Sequence, residues 1–396
     1  MKRTTRWLLF FVVKALCLAS TPLFGQETTV PLKQQGMIQL DPVVKPRHVT
    51  RPLRNMDAQT VSTQASTGTT IPMWSAVATL GSNRYNIRLV GTSVFTAGTS
   101  QTTTVKAPII SLVLNMPDGE TFTPIVNDGC ASASAYTLTG NSPIFKNVNY
   151  TWGGNYMGNT QYVDAYQRAN FWAYTWPGGT VPNYHVLLGA TNNYYTNVAV
   201  PADQWVTASA PCGRIAGVGI GWLQNYIETT LFSQLNPVGI GSTYFPLILL
   251  HNTLMCDNLG CGILGYHGSF VDRLGHLQTY AVADFETSRA IPGFTDIAPL
   301  SHEVAEWVDD PTGDNPTPPW GNIGQVAGCQ NNLENGDALS GTNRTLTLFG
   351  YTYHVQELVF VGWFYHLNPS LGINNWYSNF GTFRGFARPC PPGGTN

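Results

Sequence analysis

The residues best suited to chemistry in this sequence lie between Asp296 and Pro311. His302 and Glu306 stand four positions apart, which places both side chains on one side of an α-helix. A His-Glu-x-x-His helix presents two zinc ligands at this spacing, and a carboxylate is an acceptable ligand in place of the second histidine. Glu303 then occupies the position of the general base that activates water.

A catalytic zinc site usually takes three protein ligands and leaves one position for water. The segment 329–337, Cys-Gln-Asn-Asn-Leu-Glu-Asn-Gly-Asp, offers two further carboxylates in a turn-rich context. We take Glu334 as the first choice for the third ligand and Asp337 as the second. The prediction is one Zn²⁺ per chain.

Acidic residues are concentrated around this helix, although only 11% of the chain is charged. Five acids fall within residues 303–314, and a nearby cation would offset their repulsion. We expect Asp309, Asp310 and Asp314 to face water in a Pro-rich loop. For His267, a supporting role at the site and a purely structural role are equally consistent with the sequence.

The elements that must position these residues follow from hydrophobic periodicity. Apolar residues recur every three or four positions from Ile297 to Val308, and Pro311 disfavours helix at the residue before it, so we predict a helix over 296–310. The apolar runs at 244–254 and 278–285 predict two buried strands. Residues 219–235 predict an amphipathic helix.

The N-terminus has the pattern of a secretory signal peptide. Lys2, Arg3 and Arg6 precede an apolar stretch that Lys14 interrupts, and this stretch is too short to span a membrane comfortably. We predict a signal peptide over 1–25, no stable membrane insertion after its removal, and a secreted, extracellular or periplasmic location.

Charge and cysteine content narrow the classes of function. Residues 1–72 hold nine Lys and Arg against three acids, whereas residues 73–396 hold eleven against nineteen. The acidic main part lacks a basic stripe, which excludes nucleic acid as a main partner. Six cysteines remain after Cys17 is removed, and an even number in an exported chain favours disulfides. The sequence predicts only one pairing, Cys256–Cys261, because a short loop separates these two residues.

Three sequence elements resemble segments of the EXORDIUM / phosphate-induced protein family. Residues 256–270 look like its Cys…Cys-Gly-Tyr-His segment. Residues 301–311, Ser-His-Glu-Val-Ala-Glu continued to Asp-Pro, are similar to the His-Glu-x-x-Glu-x-x-x-Asp-Pro element of its bacterial and algal relatives, and 334–337 resembles their Glu-x-x-Asp element. The resemblance covers about residues 245–340 and implies a secreted protein with a zincin-like, peptidase-like site.

These observations together predict an α+β protein. Its parts are a disordered linker or propeptide (26–72), a β-rich domain (73–215), and a zincin-like domain with a sheet and an active-site helix (216–396). We expect a secreted zinc-dependent hydrolase, a metallopeptidase acting on a peptide or extracellular polymer. The alternative is a non-catalytic extracellular or cell-wall binding protein with a degenerate site, whose aromatic, Asn- and Gly-rich surface binds carbohydrate.

Overall fold

The structure is a computed structural model that describes residues 46–390 apart from 55, 99, 177, 192 and 322–328. The predicted signal peptide, and the predicted linker up to residue 45, lie outside the described residues. Strands and short helices form the mixed α+β fold that the sequence predicts, built around one ten-stranded sheet.

The secondary structure is numbered in chain order. The strands are β1 (Arg47–Arg51), β2 (Met73–Leu80), β3 (Asn83–Val90), β4 (Thr102–Lys106), β5 (Ile109–Asn115), β6 (Thr121–Phe122), β7 (Val148–Trp152), β8 (Asn155–Thr160), β9 (His185–Gly189), β10 (Tyr194–Ala199), β11 (Trp205–Ser209), β12 (Arg214–Gly219), β13 (Leu247–His251), β14 (Thr253–Asp257), β15 (Gly260–Val271), β16 (Leu277–Phe285), β17 (Pro316–Gly321), β18 (Cys329–Asn332), β19 (Asn343–Leu348) and β20 (Tyr351–Gln356). The α-helices are α1 (Ala58–Thr67), α2 (Ala135–Gly140), α3 (Tyr162–Asn170), α4 (Trp172–Thr175), α5 (Ile220–Tyr226), α6 (Phe232–Leu235), α7 (Ala298–Asp309) and α8 (Val361–Phe364). A π-helical turn at Ile227–Leu231 joins α5 to α6, and 3₁₀ turns occupy Asn236–Val238, Asp337–Leu339 and Ile373–Asn375.

The large sheet has the strand order β10-β5-β13-β16-β15-β14-β12-β11. β6 pairs with β5, and β1 pairs in parallel with residues 263–268 of β15. β15 is antiparallel to both β14 and β16, whereas β10, β5, β13 and β16 run parallel. The remaining strands form five separate pairs.

The sheet separates two hydrophobic cores, because successive side chains of a strand point to opposite faces. In β13, Leu247 and Leu249 pack on the face that α7 covers, and Ile248 and Leu250 pack on the face covered by α5 and α6. We call the first of these the α7 face. Tyr266 of β15 belongs to the opposite core, so its neighbour His267 points to the α7 face.

Helix α7 is buried along its whole length, from Ala298 to Asp309. Trp307 stacks on Phe245 with ring centroids 3.6 Å apart and donates a hydrogen bond from Nε1 to Thr279 Oγ1 of the sheet. Helix α3 and strand β20 pack on its other sides. The helix predicted over 296–310 is therefore confirmed, but it lies inside the protein rather than at its surface.

The expectation that Asp309 and Asp310 face water is wrong. Both side chains are fully buried, whereas Asp314 is 37% exposed and pairs with Arg88. Asp310 accepts hydrogen bonds from the backbone N–H groups of Asp314 and Asn315. The turn around Pro311 folds back on the helix end, so that backbone donors take the place of water.

Four donors surround the carboxylate of Asp309. Tyr166 Oη donates to Oδ2 at 2.7 Å and Gln167 Nε2 donates to Oδ1 at 2.6 Å. Asn170 and Asn335 donate to Oδ2 from their Nδ2 atoms, at 3.0 and 2.9 Å. Burial nevertheless raises the pKa of Asp309 to about 6, because hydrogen bonds only partly offset its loss of hydration.

The apolar run at 244–254 is two strands rather than the one predicted. β13 ends at His251 and β14 begins at Thr253, and Asn252 between them has a φ of +48°. Asn tolerates this left-handed conformation better than most residues do. Its Oδ1 accepts hydrogen bonds from the backbone N–H groups of Thr287 and Ser288, which fixes the break between the strands. The strand predicted over 278–285 is confirmed as β16, and the helix over 219–235 as α5, the π-helical turn and α6.

The predicted division of the chain does not match the sheet. The boundary between 215 and 216 falls inside β12, and the sheet combines β5, β6 and β10 to β12 with β13 to β16. In the predicted linker, the described part forms β1 and α1, so the prediction of disorder is wrong there. Without periodicity of its own, β1 is ordered by its pairing with β15.

Three disulfides join Cys130 to Cys212, Cys256 to Cys261 and Cys329 to Cys390. The predicted Cys256–Cys261 bond is confirmed, and it links β14 to β15. Disulfides are typical of oxidising compartments. Among the described residues, every helix falls short of the length and apolar character needed to cross a membrane.

We predict that Asp309 makes stability depend on pH. Its pKa of about 6 in the folded protein exceeds the value of about 3.9 expected in the unfolded chain, so the free energy of unfolding falls as pH rises through this window. Two pKa units correspond to about 3 kcal/mol. Because Asp309→Asn cannot titrate, the difference in unfolding free energy, wild type minus variant, should fall by up to about 3 kcal/mol between about pH 4 and pH 7 in urea titrations.

The exposed Asp203→Asn variant controls for loss of a carboxyl group elsewhere. Asp309→Asn should also be less stable than the wild type at every pH. The NH₂ group of Asn would face the hydrogen-bond donors that surround Asp309, and some of these groups would lose their acceptor. A wild-type-minus-variant difference that is flat across the pH range would contradict the prediction.

Candidate metal centre

Side chains from α7, β15 and β1 converge with Asp337 in one buried cluster. Helix α7 contributes His302, Glu303 and Glu306, and the strands contribute His267 and His48. Three overlapping groups of donor atoms, each within 4.8 Å, can hold a metal ion: His302–Glu306–Asp337, His267–Glu303–Glu306 and His48–His302–Glu303. Every one of these side chains is at most 4% exposed.

The first group is built around His302. Its Nε2 lies 2.9 Å from Glu306 Oε1, as the four-residue spacing predicts, and 3.6 Å from Asp337 Oδ1. Its Nδ1 lies 3.0 Å from Gln356 Oε1, and Gln356 Nε2 donates to the backbone carbonyl of Gly336. Because this second bond turns the Gln356 oxygen toward His302, the neutral ring carries its proton on Nδ1 and offers the Nε2 lone pair to the cluster.

The second group is built around His267, for which the sequence left two roles open. Its Nδ1 lies 3.5 Å from Glu303 Oε2 and 3.4 Å from Glu306 Oε2. Strand alternation produces this placement, because His267 and α7 lie on the same face of the sheet. His267 is therefore part of the cluster, within reach of two of the residues predicted from the helix motif.

His48 enters the cluster without any prediction from the sequence. Its ring stacks on His302 with centroids 3.6 Å apart and planes 11° apart, and its Nδ1 lies 2.6 Å from Glu303 Oε1. It sits in a segment whose composition predicts a linker. Its local sequence does not distinguish His48 from the other histidines of the chain, so the sequence alone could not have placed it at the site.

The two candidates for the third ligand occupy different places. Asp337 belongs to the group around His302, and Glu334 does not. Glu334 is buried beside Glu306, and it accepts a hydrogen bond from Asn332 Nδ2 at 2.6 Å. The geometry thus favours Asp337, the second choice of the sequence analysis, over Glu334, the first.

Burial and mutual charge shift the pKa values of the cluster in opposite directions. Burial, reinforced by the charge of Glu306, raises the pKa of Glu303 well above its ordinary value, and the same causes raise that of Glu334. Burial would also raise the pKa of Glu306, but the charge of protonated His302 outweighs it and holds the value well below the usual range. Burial lowers the pKa of His302, but the charge of Glu306 outweighs that and raises it, so without an ion these two residues form a buried ion pair. One carboxylate of the cluster is therefore strongly favoured in its ionised form.

Several buried polar atoms of the cluster lack a hydrogen-bond partner within the part of the chain that the structure describes. They are His302 Nε2, Glu303 Oε2, Glu306 Oε2 and both ring nitrogens of His267. Buried polar groups are nearly always satisfied, and an unsatisfied one costs free energy. Nitrogen and carboxylate donors that converge in this way are suited to a metal ion.

Two glycines let the backbone approach the cluster closely. A Cβ atom on Gly336 would lie 2.5 to 2.7 Å from ring atoms of His302, and one on Gly265 would lie 2.6 Å from Glu303 Oε1. Neither position has room for a larger residue without displacing a donor group. The turn at Gly336 and strand β15 therefore define the walls of the site.

Comparisons with protein-family models, with curated proteins and with solved structures return no match for this chain. Inferences about its function therefore rest on its residues and their geometry.

We predict that Gly336→Ala disturbs the cluster. The added methyl group must displace the His302 ring, and overpacking of this kind costs about 1–3 kcal/mol. Urea unfolding with chelator present should show this loss, and zinc affinity measured by equilibrium dialysis should fall in the same variant. Gly385→Ala is the matched control, because a Cβ there meets nothing within 4 Å. Equal zinc affinity in the two variants would contradict the prediction.

Proposed function

We propose that the protein is a secreted zinc-dependent hydrolase of the metallopeptidase type. The observation that carries the proposal is the group His302 Nε2, Glu306 Oε1 and Asp337 Oδ1, with Glu303 one position along the same helix. Two of these residues and the base position are those that the helix motif predicts.

The donors fit zinc by their chemistry. Zinc takes imidazole nitrogen and carboxylate oxygen, and three protein ligands are typical of sites that keep a position open for reaction. Gln356 fixes the His302 ring and its tautomer, the support that ligating histidines usually have. His302 Nε2 faces Glu306 Oε1 at 2.9 Å and Asp337 Oδ1 at 3.6 Å, so an ion bound among these atoms would take the place of the His302 proton.

A zinc ion bound here would polarise a substrate carbonyl and lower the pKa of a water molecule. Glu303 is the residue of this chain that handles the proton. Its Oε1 is held by His48, so Oε2 is the oxygen that accepts a proton from water and returns it to the leaving amine. Burial strengthens these interactions, because the surroundings of Glu303 exclude bulk water.

The resemblance of three sequence elements to the EXORDIUM family agrees with this proposal. Its three sequence elements contain, respectively, His267, the helix residues 302–306, and Glu334 with Asp337. All three elements meet at the cluster, although they are separated in sequence. We propose that the C-terminal part is a zincin-like unit in which these elements form the site.

The predicted export of the chain determines the substrate class that we propose. Disulfides suit an extracellular or periplasmic protein, and the acidic main part of the chain does not suit nucleic acid. We propose a peptide or another extracellular polymer as substrate, with no stable membrane insertion after the signal peptide is removed.

A second candidate is a non-catalytic extracellular binding protein in which the ion is structural. Its support is the complete burial of His302, Glu303 and Glu306, together with the His48 ring stacked on the centre. The predicted carbohydrate surface has weaker support, since many aromatic side chains of 128–215 lie in the core. These are Tyr150, Trp152, Tyr162, Tyr166 and Tyr184.

We predict that Glu303→Gln retains the zinc ion bound by His302, Glu306 and Asp337 and loses turnover. Gln keeps the size of the side chain but cannot accept the proton, and general base catalysis contributes about 10²–10⁴-fold. The measurements are zinc content by elemental mass spectrometry and hydrolysis of a fluorogenic peptide library. Glu228→Gln, a matched change on the opposite side of the sheet, should behave as wild type in both assays.

His302→Ala provides the complementary result, loss of about one zinc per chain. Full activity of Glu303→Gln would overturn the mechanism. A wild-type protein that holds zinc and hydrolyses none of the peptides would favour the structural ion. In that case Glu303→Gln would change stability only.

A further inference from the structure

The two carboxylate oxygens of Glu303 face different neighbours. Oε1 lies 2.6 Å from His48 Nδ1, whereas Oε2 lies 3.5 Å from His267 Nδ1. Oε2 has no hydrogen-bond partner among the residues that the structure describes. The oxygen assigned to proton transfer is therefore also available as a metal ligand, and it faces a second histidine.

His267 is buried without the hydrogen bonds that an enclosed imidazole normally makes. Its side chain is 0% exposed, and within the described ranges neither Nδ1 nor Nε2 has a hydrogen-bond partner. Satisfaction of buried polar groups is the general rule. His267 Nδ1 faces two carboxylates, with Glu303 Oε2 3.5 Å away and Glu306 Oε2 3.4 Å away. This nitrogen is therefore available as a metal ligand.

Glu306 divides its two oxygens between the two histidines. Oε1 lies 2.9 Å from His302 Nε2, and Oε2 lies 3.4 Å from His267 Nδ1. The group of His302 and Asp337 and the group of His267 and Glu303 contain different histidines and share Glu306. A carboxylate with one oxygen directed at each of two donor groups can bridge two ions, as in two-metal sites.

The charge of the cluster also favours a second cation. Glu303, Glu306 and Asp337 are all buried, and the charge of Glu306 opposes ionisation of Glu303. A cation between Glu303 and Glu306 would offset this repulsion. Buried charge is costly unless it is compensated, so the electrostatic field of the cluster favours the second ion.

We propose that His267, Glu303 and Glu306 form a second divalent-cation site, next to the site of His302, Glu306 and Asp337 and bridged to it by Glu306. The donors are His267 Nδ1, Glu303 Oε2 and Glu306 Oε2. The site takes Zn²⁺ or a similar ion that accepts imidazole and carboxylate ligands.

The second site binds more weakly than the first. Gln356 holds the His302 ring through Nδ1, and ligating histidines typically rely on such a partner. His267 has no corresponding amide partner in the described structure, so only packing and the carboxylates of Glu303 and Glu306 position its ring. Loss of outer partners typically lowers metal affinity about 10–100-fold.

Occupation of the second site inhibits the enzyme, a consequence that rests on the proposed function. An ion on Glu303 Oε2 takes the lone pair that accepts the proton from water. The first zinc ion therefore activates and excess zinc inhibits, with a fall in activity of about 100-fold when the second site is full.

The first experiment counts ions without reference to activity. Zinc-free full-length protein, after signal removal, is titrated with Zn²⁺ by calorimetry, and bound metal is counted by elemental mass spectrometry after equilibrium dialysis. We expect two ions per chain, with the second about 10–100-fold weaker. One ion per chain at saturating zinc overturns the proposal.

Two variants assign the weaker ion to His267. His267→Leu and His267→Gln should both lose it and keep the tighter one, and the pair guards against misfolding of either variant. His276→Ala, which removes a histidine whose side chain is 41% exposed, is the matched control and should keep both ions. Binding of the second ion to folded His267→Leu overturns the assignment.

The activity measurement separates this proposal from the proposed function. The rate of peptide hydrolysis is measured for each protein at one equivalent of zinc and at excess zinc. Excess zinc should lower the rate about 100-fold in the wild type and leave the rate of His267→Leu level. Two ions with no hydrolysis by any form would refute the hydrolase and leave the second site standing. Hydrolysis that is equally inhibited in both proteins would refute the inhibitory role of the site.

Discussion

Burial of charge on helix α7 is the constraint on which the other features of the structure depend. The helix is enclosed on every side, yet it carries His302, Glu303, Glu306 and Asp309. An unpaired charge in such surroundings costs several kcal/mol, so each ionisable group requires a partner. At the C-terminal end, α3 supplies Tyr166, Gln167 and Asn170 as donors to Asp309. Toward the middle of the helix, the partners are histidines and the cation that we propose.

The two groups of acids therefore have opposite chemical character. The Asp309 carboxylate accepts hydrogen bonds from four neutral donors, which fix its position. The carboxylates of Glu303 and Glu306 each retain an oxygen without such a donor among the described residues. One helix thus combines a structural acid with acids available for ligand binding. The difference arises from what packs on each side, since all of these residues are of similar type.

Local sequence patterns predicted what local interactions determine. The bounds of α7, the shared direction of His302 and Glu306, strand β16 and the Cys256–Cys261 bond all follow from spacing within a few residues. His48 and Gln356 could not be predicted in this way, because each reaches the site from another part of the chain; His48 and Glu303 are 255 positions apart. The sequence predicts that Asp309 and Asp310 face water because they border a Pro-rich loop. Only the packing of α3 and the turn after the helix reverses that assignment.

Strand β1 also has a consequence for the order in which the chain folds. It pairs with residues 263–268, more than 200 positions further along, so it cannot be placed until β15 has emerged and formed. Pairing over such a separation carries a large loop-closure entropy and is slow. His48 can therefore reach Glu303 only after both β15 and the start of α7 have been synthesised. Asp337 lies later still in the chain, so the nascent chain offers metal ions a poorer site until synthesis has passed that residue.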